Sequence, residues 1–176
     1  MLAAMRRRYR SALYEEKVNL VKARMPHSSI GVDVIVGFPG ETDSDFQDTF
    51  DFLHRLPVSY LHVFTYSERD NTLAANMPGI VPLSKRKERN RKLRNLSAKK
   101  AHDFAQEALG TLQAVLFEEE IRDGFVYGYT PHYIRVKHRA IEGIPGSVIN
   151  CMLDGFGTDG LVDVKPVTAD KPYIIS

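Results

Sequence analysis

Between Ile30 and Val36 the chain reads Ile-Gly-Val-Asp-Val-Ile-Val, apolar on both alternating sets of positions except at Asp33. A strand written this way predicts a parallel sheet covered on both faces, and its neighbours agree. Tyr14, Val18, Val21 and Met25 recur at spacings of four, three and four, so Ser11 to Arg24 is predicted helical, closed by Pro26. Thr42 can cap a second helix with an apolar stripe of Phe46, Phe50 and Leu53, ended by Pro57. Tyr60 to Tyr66 is then a second strand, rich in aromatic and β-branched residues. Helix, strand, helix, strand is the order of an α/β layer with parallel strands and right-handed crossovers. Two parallel strands make a poor core, so the strand at Ile30 needs a neighbour on its other edge. The chain therefore reads as truncated, with an exposed strand edge available for self-association.

A basic helix follows from about Ser84 to Leu109, with Leu93, Leu96 and Phe104 facing inward and Gly110 as its stop. Beyond Gly110 the hydrophobic period drops to two, in short segments separated by Gly, Pro, Asp and Asn, which predicts a small antiparallel β-barrel. The expected domains are residues 1–110 and 111–176. Charge divides at the same place. Residues 1–111 hold 18 Lys/Arg against 13 Asp/Glu, and residues 112–176 hold 6 against 9. The run from Lys85 to Lys100 carries nine cations and one anion, enough to track phosphates or to solvate a helix face. No apolar stretch approaches the roughly 20 residues of a membrane span, and the start lacks a signal-peptide pattern, so a cytoplasmic location is expected. The one cysteine, Cys151, excludes an internal disulfide and any cluster or zinc site built from several thiolates of this chain.

The strand at Ile30 ends on Gly-Phe-Pro-Gly-Glu, at the carboxyl end where open α/β sheets and α/β barrels place ligands. Gly37 and Gly40 would let a ligand approach the backbone, while the acids at 41, 43, 45 and 48 argue against phosphate. In order along the chain, "MRRRY", "VDVIVGFPGETDSDF", "LHVFTYSERDNTLAANMP", a basic helix and "GYTPHYIRVK" resemble the carboxyl-terminal part of the radical S-adenosylmethionine methylthiotransferases. Within that family the segments 62–67 and 128–136 most resemble the enzymes that act on N6-threonylcarbamoyladenosine in tRNA. Those acting on isopentenyladenosine or on a ribosomal-protein aspartate are the alternatives.

The resemblance implies a partial (β/α) barrel using S-adenosylmethionine and two 4Fe-4S clusters, followed by an RNA-binding barrel of the TRAM, OB-like kind. It sets Ile35, Val36 and Gly37 along the cofactor adenine, turns Asp33 into the barrel as a catalytic or cofactor-bonding carboxylate, the alternative being one that satisfies a neighbouring backbone group or arginine, and aims Arg8 at the cofactor carboxylate or the RNA. The CxxxCxxC loop of the family is absent, as are the cysteines of the second cluster, so cluster ligands must come from a missing amino-terminal half and the fragment itself is expected to be inactive. Glu68, Asp70, Asn71 and Leu73 replace Pro and Gly of the family's loop, which should loosen it.

For binding tRNA, the alternating set Tyr127, Tyr129, Tyr133, Arg135, Lys137 and Arg139 joins stacking rings to cations on one strand face, supplemented by Arg89 and Lys92 of the basic helix. For each tyrosine the alternative is that it caps the barrel core with its hydroxyl outward; for the chain the alternative function is a non-catalytic module that holds tRNA through the basic helix and the barrel. His54 and His102 lie in helices without a carboxylate or thiol at ligand spacing, and His62 sits in a strand with an interior place open to it, so no metal site is expected.

Overall fold

A computed structural model describes residues 10–167, and its contacts divide the chain into two units, one ending at Ala101 and one beginning at His102. Arg8 lies outside the described residues. The first unit contains α1 (Ser11–Arg24), β1 (Gly31–Val36), α2 (Asp43–Arg55), β2 (Tyr60–Thr65), a 3-10 turn at Leu73–Asn76 and most of α3 (Leu83–Ala108). β1 and β2 pair in parallel, Gly31 opposite Tyr60 through Val36 opposite Thr65.

The sheet is covered on one face only, against the expectation of two. Val32, Val36 and Leu61 pack with Val18 of α1, Phe46 and Leu53 of α2, and Leu93 and Leu96 of α3. All three helices are therefore spent on the same side. Asp33 and Ile35 face the other way, with His62 and Phe64 beside them in register, and all four are exposed. The stripe of α1 is narrower than its spacing suggested: Val18 is buried, but Val21 and Met25 stay exposed.

Polar side chains fix the element ends. Thr42 accepts from the Asp45 amide while the Asp45 carboxylate accepts from the Thr42 amide, a reciprocal cap of about 1 kcal/mol. The Thr42 hydroxyl, which donates to the Asp45 carboxylate at 2.6 Å, and then the Thr42 amide hold that carboxyl below its usual range. At the other end of α2, Lys100 donates to the carbonyls of His54 and Leu56 at 3.1 and 2.7 Å. Along the outer edge of β2, Ser97 of α3 donates to the Leu61 carbonyl and accepts from its amide, and Asn90 donates to the Val63 carbonyl. Three backbone groups of that edge are thus satisfied by a helix. Among the described residues no strand pairs with the outer edge of β1.

The second unit is a closed barrel of β3 (Leu112–Arg122), β4 (Phe125–Tyr129), β5 (Arg135–Arg139), β6 (Val148–Phe156) and β7 (Val162–Pro166), in the order β3-β4-β5-β7-β6. The expectation of an antiparallel barrel needs one correction: β5 and β7 run parallel. Strands that alternate in direction cannot close a ring of five without one like-directed pair. Val115, Phe117, Val126, Val136, Cys151, Leu153, Val162 and Val164 fill the interior. Ala105 of α3 is buried among them, with Phe104, Ala108 and Leu109 packed alongside. The last turns of α3 therefore belong to the barrel, and the contact boundary falls inside a helix, whereas the change of period is at Gly110. Cys151 is fully buried, and burial pushes its thiol up to about 11. It is a core residue. No described helix is long and apolar enough to cross a membrane.

Candidate nucleic-acid interface

The loop after β1 is filled from within the chain. Gly37 has φ of +79°, and a Cβ there would overlap the side chain of Arg86. Arg86 donates from Nε to the Val81 carbonyl at 2.6 Å, and its guanidinium donates to the Tyr66 carbonyl and both carboxylate oxygens of Glu68. One turn further on, Arg89 donates to the Glu41 carboxylate at 2.5 Å, its carbonyl at 3.2 Å and Asp43 at 2.8 Å. Glu41 also accepts from the Gly37 amide at 2.7 Å. Two adjacent inward positions of α3 thus tie together the loops that follow both strands. The expected loosening of 67–75 is met by Glu68, whose carboxyl is held below its usual range by the Arg86 guanidinium, and by Thr72, which caps the 3-10 turn.

This arrangement makes Gly37 intolerant of a side chain. Gly37→Ala should cost about 2–3 kcal/mol, from a left-handed backbone plus overlap with Arg86. A urea titration should show the lower midpoint at unchanged slope; a midpoint equal to that of the parent would mean the arginine does not pack there.

Placement of the expected cofactor residues is mixed. Ile35 and Asp33 lie on the open sheet face, with Phe64 51% exposed beside Ile35. Val36 is fully buried on the opposite face, so its side chain serves the core. The space beside Gly37 belongs to Arg86. Among the described residues no cluster of His, Cys, Asp or Glu is arranged to hold a metal.

Much of the basic run is structural. Arg86, Arg89 and Lys100 act inside the first unit as just described, and Lys85 pairs with Asp43 at 2.6 Å. Arg89, expected at an RNA surface, is a correction: its side chain is 3% exposed. Lys92 is exposed and pairs with Glu88 at 2.8 Å. Lys87, Arg91 and Arg94 are exposed too, at helical spacings of four and three that place them on one face.

The barrel carries a second arrangement. Phe125, Tyr127 and Tyr129 of β4 lie opposite Arg139, Lys137 and Arg135 of β5, and the intervening Val126, Gly128 and Val136 are buried. Strand alternation therefore turns three rings and three cations outward together. The Arg135 guanidinium lies 4.5 Å from the Tyr129 ring centre and 5.2 Å from that of Tyr127. It also pairs through both nitrogens with Glu118 of β3, at 2.5 and 3.0 Å. Lys137 lies 5.2 Å from the Phe125 ring and bonds Asp159 at 2.7 Å, with Asp163 at 3.8 Å. Those pairings raise the affinity of Arg135 and Lys137 for their protons and hold the Glu118 and Asp159 carboxyls below the usual range.

Tyr133 departs from the expected shared strand. It sits in the turn before β5 with φ of +61°, yet its ring comes within 6.3 Å of Tyr129. The sequence reading missed Phe125, Glu118, Asp159 and Asp163. Phe125 was available from the alternation that selected Tyr127 and Tyr129; the carboxylates come from other strands and loops and have no local signal.

No family model matches the chain. It is 38% identical over 154 residues to the threonylcarbamoyladenosine tRNA methylthiotransferase MtaB of Aquifex aeolicus, covering 87% of this chain and 36% of that protein. The protein of the same name from Thermotoga maritima is 32% identical over 165 residues, 94% of this chain and 38% of the relative. The tRNA-2-methylthio-N(6)-dimethylallyladenosine synthase of Coxiella burnetii (strain RSA 331 / Henzerling II) is 40% identical over 116 residues, 66% of this chain and 26% of the relative. The chain spans about a third of the length of the relatives named MtaB. A match of 154 residues exceeds the length of either unit, so the likeness runs through both.

Proposed function

We propose, on the premise that this chain is homologous over most of its length to part of the tRNA methylthiotransferases, that it is the carboxyl-terminal part of an enzyme that methylthiolates carbon 2 of N6-threonylcarbamoyladenosine beside the anticodon. The observation that carries this reading is the similarity to relatives named MtaB across both units, reaching 94% of the chain. The likeness to the dimethylallyladenosine synthase covers less of it.

In this reading the first unit is a piece of a radical S-adenosylmethionine barrel, and its open sheet face is the inner wall. Ile35 and Phe64 offer a purine two apolar contacts there, and Asp33 a carboxylate for a hydroxyl. S-adenosylmethionine with its clusters supplies the radical chemistry when bound. The clusters do not fit this chain: its single thiol is sealed in the barrel core, so the 176 residues are inactive alone and the cluster thiolates come from sequence outside them. The second unit is a TRAM-like RNA-binding barrel, with tRNA as its partner and the cytoplasm as its location. The exposed cations Lys87, Arg91, Lys92 and Arg94 serve phosphate.

The test replaces the corresponding segment of the Bacillus subtilis MtaB with this chain, in cells lacking their own copy, and measures tRNA nucleosides by mass spectrometry. Return of the 2-methylthio derivative of N6-threonylcarbamoyladenosine is expected. Appearance of the isopentenyladenosine product would select the alternative substrate. If the hybrid accumulates and neither product appears, the reading fails.

A further inference from the structure

We propose that Tyr129, Tyr133 and Leu116 form a stacking site for an unpaired nucleobase, in which Arg135 and Lys137 position the rings and do not bind phosphate. This rests on the RNA reading above and specifies how the barrel uses it. Two of the three cations of this face, Arg135 and Lys137, are paired with carboxylates before any ligand arrives, while Arg139 lies exposed at the far end, opposite Phe125. Arg135 is engaged in a two-pronged pair with Glu118, and Lys137 is 10% exposed with Asp159 and Asp163 around its ammonium. A phosphate would have to displace carboxylates already at ion-pair distance. Planar groups face no such competition.

What the face leaves open is apolar and aromatic. Tyr129 is 42% exposed, Tyr133 73% and Leu116 57%, and Leu116 stands directly opposite Tyr129 across the β3–β4 ladder. Arg135 lies over the Tyr129 ring. The Tyr129 and Tyr133 rings are tilted by 55° at 6.3 Å, so they are not stacked on each other and form an open angle. The turn that holds Tyr133 is closed by bonds from the Tyr133 amide to the Thr130 carbonyl and from the Thr130 amide to the Ile134 carbonyl. A tyrosine held at positive φ is unusual, and here that conformation brings the ring next to Tyr129. Every base has a π-face, so a loop whose bases are splayed out fits such a site and a duplex does not.

The test uses the full chain, a single-stranded RNA tetranucleotide containing 2-aminopurine, an anticodon stem–loop, and a duplex of equal length, each titrated over a range of salt. Tyr133→Asn keeps the left-handed turn and removes the ring. It should weaken the tetranucleotide and the stem–loop by roughly tenfold with no change in salt slope, and leave the duplex unaffected. Arg135→Lys retains charge but loses the fork, and should weaken both single-stranded probes at an unchanged slope. If Arg135→Ala instead lowers the slope by about one counterion, Arg135 binds phosphate and the proposal is overturned. If the stem–loop binds and Tyr133→Asn changes nothing, the site is overturned while the RNA reading stands. Binding of the tetranucleotide without the stem–loop would keep the site and remove tRNA as its source. Failure of both probes to bind removes both.

Discussion

Replacing Arg89 with methionine is expected to destabilise the first unit by about 3–5 kcal/mol, the range for removing one partner of a buried ion pair. The cost comes from what is left behind. Glu41 is 6% exposed and would keep only the Gly37 amide as a close partner for its carboxylate, whereas Asp43 at 71% can turn to water. The loop after β1 would lose its anchor to α3 at the same time, since Arg89 reaches both the Glu41 backbone and Asp43 at the start of α2. Chemical unfolding monitored by circular dichroism measures the loss. Adding Glu41→Gln to the Arg89→Met background should return part of it by removing the stranded charge, and the double-mutant cycle gives the coupling directly. A single-variant loss below about 1 kcal/mol would place the pair among ordinary surface bridges.

Phe117→Ala should cost the barrel about 3–5 kcal/mol, as emptying the space of a core phenylalanine usually does. Phe117 is 2% exposed and shares its cluster with Val115, Val126 and Leu153, all fully buried. A ring of strands adjusts poorly to such a gap, because each strand is tied on both sides. Proteolysis by trypsin should then open the sites at Arg122, Arg135, Lys137 and Arg139 while the site at Arg55, the last residue of α2, remains protected. Equal loss of protection in α2 would show that the two units do not unfold separately.

The element order was legible because each periodic stretch is long or well punctuated. Thr42, Pro26 and Pro57 mark helix ends by local chemistry, and Val126, Gly128 and Val136 mark a barrel face by simple alternation. The one-sided sheet was not legible. An apolar Ile35 looks the same in sequence whether or not a layer covers it. Arg86 and Arg89 were hidden for a related reason: a cation in a basic run carries no local mark of a carboxylate some 18 or 48 residues away that takes it inward. The partners of Arg135 and Lys137 were unreadable on the same ground, which is why these two cations looked free for RNA and are, in the structure, paired with Glu118, Asp159 and Asp163.

One consequence of the sheet's edges concerns how copies of this chain could aggregate. On β2 the Leu61 amide and carbonyl and the Val63 carbonyl are already bonded to Ser97 and Asn90, so a strand from another molecule would have to displace them. Among the described residues β1 is the edge of this sheet with neither a strand nor a helix bonded along it. Two molecules meeting β1 to β1 would cover that edge on both, and the product would present the helix-bonded edge of β2 at each end. Assembly through the β1 edge therefore stops at a pair.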